Sequence, residues 1–207
     1  MTILDLRAKI PNDFFTAWEL NALLDGYSNR KAKIHAMLKK REIIQIRRGL
    51  YTFAEPLRRG LLSNGVLANQ IHGPSYVSED YALSYYGMIP ETPAVVTSIT
   101  RSRSRRFDTA FGVFTYRYCR SQAYPVGITS VGEEQNRFLI ATPEKALFDK
   151  VMYDRRFDGG DPEAYLLDDL RLDEESLRGL NRKRLKELAP FMTGRLKNLY
   201  NYLERLG

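Results

Sequence analysis

Residues 28–40, SNRKAKIHAMLKK, decide the fold of the N-terminal part of this chain. Ser28 can begin a helix, because its hydroxyl can accept a hydrogen bond from a backbone N–H of the first turn. The helix should then run from about Asn29 to Lys40. At about 100° per residue, one side of it is apolar and should face a core; this side carries Ile34, Met37 and Leu38. The opposite, solvent-facing side carries Asn29, Ala32, Lys33, Ala36, Lys39 and Lys40.

Residues 15–20, FTAWEL, predict a second helix directly upstream. Thr16 and Glu19 have the spacing of a capping box, and the apolar residues at 15 and 20 have that of a hydrophobic staple. Asp25-Gly26-Tyr27 should end this helix, with Gly26 in the left-handed conformation. Two helices joined by a tight glycine-containing turn indicate a helix-turn-helix.

A β-hairpin is predicted immediately after these helices. Residues 42–46 and 50–53 are rich in β-formers and flank the turn Arg47-Arg48-Gly49. A hairpin in this position is a wing. Its two arginines either contact a minor groove or phosphate, or simply keep the turn in solvent. We therefore predict a winged helix-turn-helix domain over residues 1–56.

The distribution of charge indicates a polyanionic partner for this domain. Residues 1–60 hold twelve lysines and arginines against six acidic residues, whereas residues 61–207 are almost neutral. A basic unit joined to a neutral body is typical of nucleic-acid binding, although a solvated basic surface is the simpler alternative. Small side chains at 32 and 36 would let the helix approach base edges. The predicted DNA-binding residues are Ser28, Asn29, Arg30, Lys31, Lys33, Lys39, Lys40, Arg47 and Arg48.

Residues 57–207 predict a mixed α/β domain that ends in helices, so that the whole chain is α+β. Helices are expected over residues 61–71, 78–86 and from 142, with Ser78 and Thr142 as caps. A short strand is expected at 76–77, and residues 126–131 and 137–141 should pair. Residues 94–100 and 111–119 should pair as a long hairpin. From residue 161 onward the pattern is helical.

An arginine run joins the two arms of that long hairpin. If the backbone is extended, Arg101, Arg103 and Arg105 project to one side, with Arg106 next to them. Such a row can hold phosphates, RNA or an acidic partner, and Arg117 and Arg120 would extend it. A mobile charged loop is the alternative.

Two features of the sequence argue against an enzyme. Glu144, Lys145, Asp149 and Lys150 cluster in sequence as nuclease residues do, but no matching upstream aspartate occurs in a strand context. A local Lys145–Asp149 ion pair on a capped helix is the more economical interpretation. The single cysteine and two histidines have no metal-ligand spacing, and we expect no catalytic residues, metal or cofactor. With no disulfide and no apolar span or leader, a cytoplasmic protein without a membrane contact is expected.

Several short segments resemble a known family. They are FT and EL within residues 15–20, LKKREIIQIRRGLY at 38–51, YVS at 76–78, ALSYYGMIPE at 82–91 and TPEKALFD at 142–149. In this order they resemble the AbiE-type antitoxins (AbiEi) of type IV toxin–antitoxin, abortive-infection systems. The resemblance covers roughly residues 14 to 150, and the last fifty or so residues match only in general helical character.

The resemblance implies two roles. The winged helix would bind inverted repeats in the promoter of its own operon as an autorepressor, and a homodimer would match the symmetry of such operators. Residues 57–207 would antagonise a nucleotidyltransferase-like toxin, with or without a direct complex, and the arginines from 101 to 106 are the candidate antitoxin surface. The alternatives are a winged-helix regulator whose second domain senses a ligand or dimerises, and a nucleic-acid enzyme targeted by a winged helix.

Overall fold

Two β-sheets organise this α+β chain, as seen in a computed structural model that describes residues 1–133 and 136–206. The smaller sheet has three strands, in the order Phe14–Thr16, Leu50–Phe53 and Ile43–Arg47. The larger sheet has six, in the order Arg105–Thr109, Gly112–Tyr118, Val95–Thr100, Ser75–Val77, Phe138–Ala141 and Ile128–Val131. Within the described residues, every helix is too short or too polar to cross a bilayer.

The N-terminal unit contains three helices and the smaller sheet. Its elements are α1 (Ile3–Lys9), β1 (Phe14–Thr16), α2 (Ala17–Leu23), α3 (Arg30–Lys39), β2 (Ile43–Arg47) and β3 (Leu50–Phe53). Their apolar side chains form a core of Leu6, Ile10, Phe15, Leu20, Leu24, Met37, Ile43, Tyr51 and Phe53. Helix α1 and strand β1 are additions to the elements that the sequence pattern predicts.

Local signals place the start of α2 correctly but misplace two other features. The Thr16–Glu19 capping box is confirmed, since Thr16 Oγ1 accepts from the backbone N–H of Glu19 and the Glu19 carboxylate accepts from that of Thr16. Gly26 was expected in the left-handed conformation, which is wrong. The chain turns instead through a bond from Tyr27 N–H to the Leu24 carbonyl, which needs no such residue. The cap of α3 is Asn29, whose Oδ1 accepts from Ala32 N–H at 3.0 Å, rather than Ser28.

The predicted β2–β3 hairpin is confirmed as an antiparallel pair. Gly49 in its turn has φ +83°, a conformation that favours glycine. Strand β1 pairs with β3 on the other side. The N–H of Ala17 donates to the Gly49 carbonyl at 2.9 Å, so that α2 begins beside the hairpin turn.

The second unit is built on the larger sheet. Its strands are β4 (Ser75–Val77), β5 (Val95–Thr100), β6 (Arg105–Thr109), β7 (Gly112–Tyr118), β8 (Ile128–Val131) and β9 (Phe138–Ala141). Its helices are α4 (Asn64–Ile71), α5 (Glu79–Tyr85), α6 (Pro143–Tyr153), α7 (Pro162–Ala164), α8 (Glu174–Arg178), α9 (Arg182–Leu188) and α10 (Arg195–Leu206). The helical C-terminal part and the β8–β9 pair are as predicted.

The predicted long hairpin of residues 94–100 and 111–119 is wrong. Strands β5 and β7 are neighbours, but they run parallel. The chain bends after Thr100 and returns as β6, which is antiparallel to β7 at the edge of the sheet. The sequence does not predict β6 because its charged residues give no strand pattern. An edge strand tolerates such residues because its outer side is in contact with water. Helix α4 also begins later than predicted, and Leu61 remains 85% exposed.

Helices cover both faces of the larger sheet. Tyr116 Oη donates to the Ala68 carbonyl of α4, and Tyr76 Oη donates to Asp149 of α6. Tyr116 aligns with Ser98 and Tyr76 with Ile99, so that these two tyrosines point to opposite faces. Helices α4 and α6 therefore lie on opposite sides.

The two units meet along the β2–β3 hairpin. Ile46 and Leu50 belong to the core of the second unit, and β2 contacts β6. Asp13 holds the connection by accepting hydrogen bonds from the backbone N–H groups of Arg59 and Gly60. The expected boundary at residue 56 falls within a short 3₁₀ helix, Glu55–Leu57.

Candidate nucleic-acid interface

The apolar side chains of helix α3 face the core as predicted, but Lys33, which was predicted on the solvent-facing side, is half-buried. Met37 is buried in the N-terminal core, with Ile34 and Leu38 packed against it. The side that faces solvent is basic and small; its exposed residues are Ser28, Asn29, Arg30, Lys31, Ala32, His35, Ala36, Lys39 and Lys40. The basic side chains of this surface therefore lie beside small ones, Ala32 and Ala36, which allow the helix to approach a ligand closely.

The lysines of this surface have no acidic partner among residues 1–133 and 136–206. Arg30 forms an ion pair with Asp25 at 3.2 Å, but Asp25 is itself 80% exposed, so that pair is open to competition by solvent and anions. Lys33 differs from the others, because it is half-buried and its Nζ lies 5.7 Å from the centroid of the Tyr27 ring. Lys31, Lys39 and Lys40 are consequently the cations most available to a polyanion.

Arg41 extends the same surface and was absent from the predicted set. Its side chain is exposed, and its backbone has φ 54°, which turns the chain sharply from α3 into β2. The signal was its position directly after Lys39-Lys40, within a run of three cations.

The two arginines of the hairpin turn have different surroundings. Arg48 is exposed. Arg47 is half-buried, and its Nη1 donates to the carbonyl of Arg48 at 2.9 Å. It also lies near Tyr116 of the larger sheet, where burial raises the pKa of the tyrosine and the arginine charge opposes that rise. Arg48 is therefore the one positioned at the tip, while Arg47 faces the second unit.

The arginine run of residues 101–106 does not form the predicted row. Arg101 donates from Nη1 to the carbonyls of Cys119 and Arg120, each at 3.1 Å, and holds the loop that follows β7. Arg106 pairs with Asp108 at 2.9 Å. Arg103 and Arg105 are exposed, but residues 101–104 are bent or irregular, so that extended backbone resumes only at Arg105, where β6 begins. Two arginines of the run thus have structural partners, and two face solvent.

The extension of this run is only partly available. Arg117 projects from β7 and pairs with the buried Glu79 at 3.0 Å. Arg120 is exposed.

Three of the charged residues of α6, Glu144, Lys145 and Asp149, are buried. Lys145 Nζ lies 2.9 Å from Asp149 Oδ1, and both side chains are fully inaccessible, which confirms the predicted ion pair. Asp149 Oδ2 accepts from Tyr76 Oη at 2.9 Å and from Ser78 Oγ at 2.8 Å. Ser78 begins α5 without the predicted side-chain cap, because its hydroxyl makes this bond instead.

Burial dominates the electrostatics of this cluster. It raises the pKa of Asp149, and the Lys145 charge and the hydroxyl donors oppose the rise. Glu144 is also buried, and its carboxylate accepts from the N–H of Asn181 at 2.8 Å. These contacts link α6 to its neighbours within the core.

A small cleft of about 220 Å³ lies near this cluster, lined by Glu79, Arg117, Lys150, Tyr153 and Asp154. At its walls Lys150 Nζ lies 2.7 Å from Asp80 Oδ1, and Arg117 Nε lies 3.0 Å from Glu79 Oε1. Among the described residues, no group of three or more histidine, cysteine or acidic side chains is arranged to hold a metal ion.

Comparison with known proteins adds no family to this picture. No protein-family model matches the chain, and no curated protein matches it in sequence.

Proposed function

We propose that residues 1–56 form a winged helix-turn-helix that binds double-stranded DNA, with α3 as the recognition helix and the β2–β3 hairpin as the wing. One observation carries this proposal. Lys31, Lys39 and Lys40, on α3 and at its C-terminal end, are exposed and have no acidic partner in the described residues. If carboxylates of the same chain paired with these lysines, they would neutralise the positive charge that attracts a polyanion.

The order of elements supports the same assignment. Helix α2 leads through a short turn to α3, and α3 leads directly to the hairpin. In such an arrangement the second helix enters the major groove and the hairpin reaches the neighbouring backbone or minor groove. Exposed Ala32 and Ala36 allow close approach to base edges, and Asn29 stands at the helix start with its Oδ1 already accepting a capping bond. The lysines and Arg30, Arg41 and Arg48 are suited to phosphates.

In biological terms, we propose a cytoplasmic transcriptional autorepressor that acts as the antitoxin of a type IV toxin–antitoxin operon. It would bind inverted repeats in its own promoter as a homodimer, and residues 57–207 would antagonise a nucleotidyltransferase-like toxin. The support for this role is the resemblance of segments 38–51, 82–91 and 142–149 to AbiE-type antitoxins. The proposal includes no catalytic reaction and no cofactor.

A regulator with a ligand-sensing second domain is the other candidate. It is favoured by a cavity of about 340 Å³ where the two units meet. Asp13, Phe14, Arg59, Leu62 and Val66 are among its lining residues, so that a ligand there would contact both units. Rescue of cells from the toxin encoded by a neighbouring gene separates the two candidates. Residues 61–207 should rescue if this unit is an antitoxin, and should fail if it only senses a ligand.

The proposed DNA interface is tested by footprinting on the promoter region of the chain's own gene, followed by an anisotropy titration of the protected duplex over a range of salt concentrations. The double variant Lys31→Ala/Lys40→Ala should weaken binding and lower the slope of log K against log salt by about two, since each lost phosphate contact accounts for about 0.9. The matched control is Lys183→Ala/Lys186→Ala on α9, where both lysines are exposed and the change in net charge is identical.

An unprotected promoter, or equal slopes for the two double variants, would contradict this interface. Equal loss of affinity in both variants would mean that net charge alone, and not α3, governs the binding.

A further inference from the structure

Trp18 is the single tryptophan of the chain, and its side chain is 79% exposed. Tryptophan combines a large apolar ring with one N–H donor, which makes it a frequent anchor in binding interfaces. Nothing in the N-terminal core covers it, since the core of this unit is formed by the opposite side of α2 through Leu20 and Leu24.

The backbone around Trp18 is held firmly. The Thr16–Glu19 capping box fixes the first turn of α2 on either side of it. The N–H of the preceding Ala17 donates to the Gly49 carbonyl, which ties this turn to the tip of the hairpin. Trp18 is therefore placed beside the turn that carries Arg48.

The exposed side of α2 also leads toward α3. Ala22 is one helical turn beyond Trp18 and Asp25 follows about one turn later; both are exposed. Asp25 makes its ion pair with Arg30, the first residue of α3. Trp18 thus lies on a surface that runs from the hairpin turn at one end to the start of the basic helix at the other.

The charge around this surface suits a polyanion. Arg48 stands at one end and Arg30 and Lys31 at the other, all of them exposed. Two carboxylates lie on or beside this surface. Asp25 pairs with Arg30 at 3.2 Å. Glu19 Oε2 accepts from both the backbone N–H and the hydroxyl of Thr16 at 2.7 Å. Among partners with an apolar edge and negative charge, the sugar–phosphate backbone of DNA matches these groups.

We propose that Trp18 contacts one strand of the bound duplex between the wing and the recognition helix, with its ring against deoxyribose and its Nε1–H donating to a phosphate oxygen. This inference rests on the proposed function and assigns to the same interface a residue outside its basic set. Because such a contact reads no base, Trp18 contributes affinity and orientation but no sequence preference.

The single tryptophan makes the test direct. Addition of the footprinted duplex, or of a random-sequence duplex at low salt, should change the intrinsic emission of Trp18. The variant Trp18→Ala should bind either duplex about tenfold more weakly, as expected for the loss of a hydrogen bond to a charged group. Trp18→Phe, which keeps a ring but no donor, should fall between the wild type and Trp18→Ala. Leu4→Ala is the control, because Leu4 is another exposed apolar residue, 66% accessible, on a different helix.

The outcomes distinguish this inference from the proposed function. If neither duplex binds the wild-type chain, the DNA-binding proposal itself fails. If the duplexes bind without changing the emission of the wild type, and Trp18→Ala binds them as tightly as the wild type does, only the role of Trp18 is overturned. Sedimentation of the wild type and Trp18→Ala is run in parallel. A loss of self-association with unchanged DNA affinity would overturn the role as well, and would assign this surface to a second copy of the chain.

Discussion

Helices α3 and α6 both carry lysines, and the exposed lysines of α3 contrast with the buried Lys145 of α6. On α3, Lys31, Lys39 and Lys40 face solvent without an acidic partner in the described part of the chain. On α6, Lys145 is fully buried against Asp149. A buried charge must be neutralised within the fold because its desolvation is costly, whereas an exposed charge remains available to a ligand. The comparison assigns α6 to stability and leaves α3 as the candidate binding surface.

The largest expected effect comes from breaking the buried pair. Lys145→Met leaves Asp149 charged or forces its protonation, and it should lower the free energy of unfolding by about 3–5 kcal/mol. Urea denaturation provides the measurement. The matched control is Lys39→Met on α3, which should change stability by no more than about 0.5 kcal/mol. Comparable stabilities for the two variants would show that the buried pair is not needed.

A second effect concerns pH, because a buried carboxyl near α6 has an unusual pKa. Burial raises the pKa of Glu79 to about 8, against an ordinary value of 4.5, while Arg117 opposes the rise. The folded state therefore holds this proton more tightly than the unfolded state. Stability should be greatest below about pH 4.5 with respect to this group, and should decline as pH rises through about 8.

Glu79→Gln should remove most of this decline, and above pH 8 it should be more stable than the wild type by roughly 2–4 kcal/mol. Thermal denaturation over the pH range measures both slopes. Glu163→Gln, at an exposed position, is the control and should follow the wild type. Parallel curves for all three proteins would contradict a buried, protonated Glu79.

Removal of the side-chain cap of α3 should have a smaller effect on stability. Asn29 Oδ1 accepts from Ala32 N–H, so Asn29→Ala should destabilise the chain by about 1 kcal/mol. Ser28→Ala should leave stability unchanged, because the Ser28 hydroxyl does not cap the helix. Chemical denaturation of both variants measures the difference, and the reverse order would restore Ser28 as the cap.

The smallest expected effect is at the exposed ion pair of α3. Arg30→Ala removes the contact with Asp25, where both side chains are largely accessible, and should change stability by less than about 0.5 kcal/mol. The same variant should nevertheless weaken DNA binding if α3 is the recognition helix. A stability loss as large as that of Lys145→Met would mean that α3 depends on its surface charges for folding.

The features predicted correctly from the sequence depend on neighbours within a few residues. The Thr16–Glu19 capping box, the hairpin around Gly49 and the one-turn spacing of Lys145 and Asp149 are of this kind. Two local predictions were also wrong, the left-handed Gly26 and the Ser28 cap, but the largest error concerns partners far apart in the chain. Strands β5 and β7 pair in parallel because the chain between them forms β6, which reverses its direction. The charged residues of β6 gave no strand pattern.

In the candidate interface too, some features depend on local spacing and others on contacts between distant parts of the chain. The spacing of residues 30–40 by itself indicated that Ile34, Met37 and Leu38 face the core, because helix geometry places these three residues on one side. Whether a given cation remains available was decided by the tertiary structure. Lys33 lies against Tyr27, Arg47 turns toward the second unit, and Arg101 holds a loop through backbone carbonyls. These contacts form when separate elements pack together, and packing depends on the shape and burial of distant side chains that no local pattern encodes.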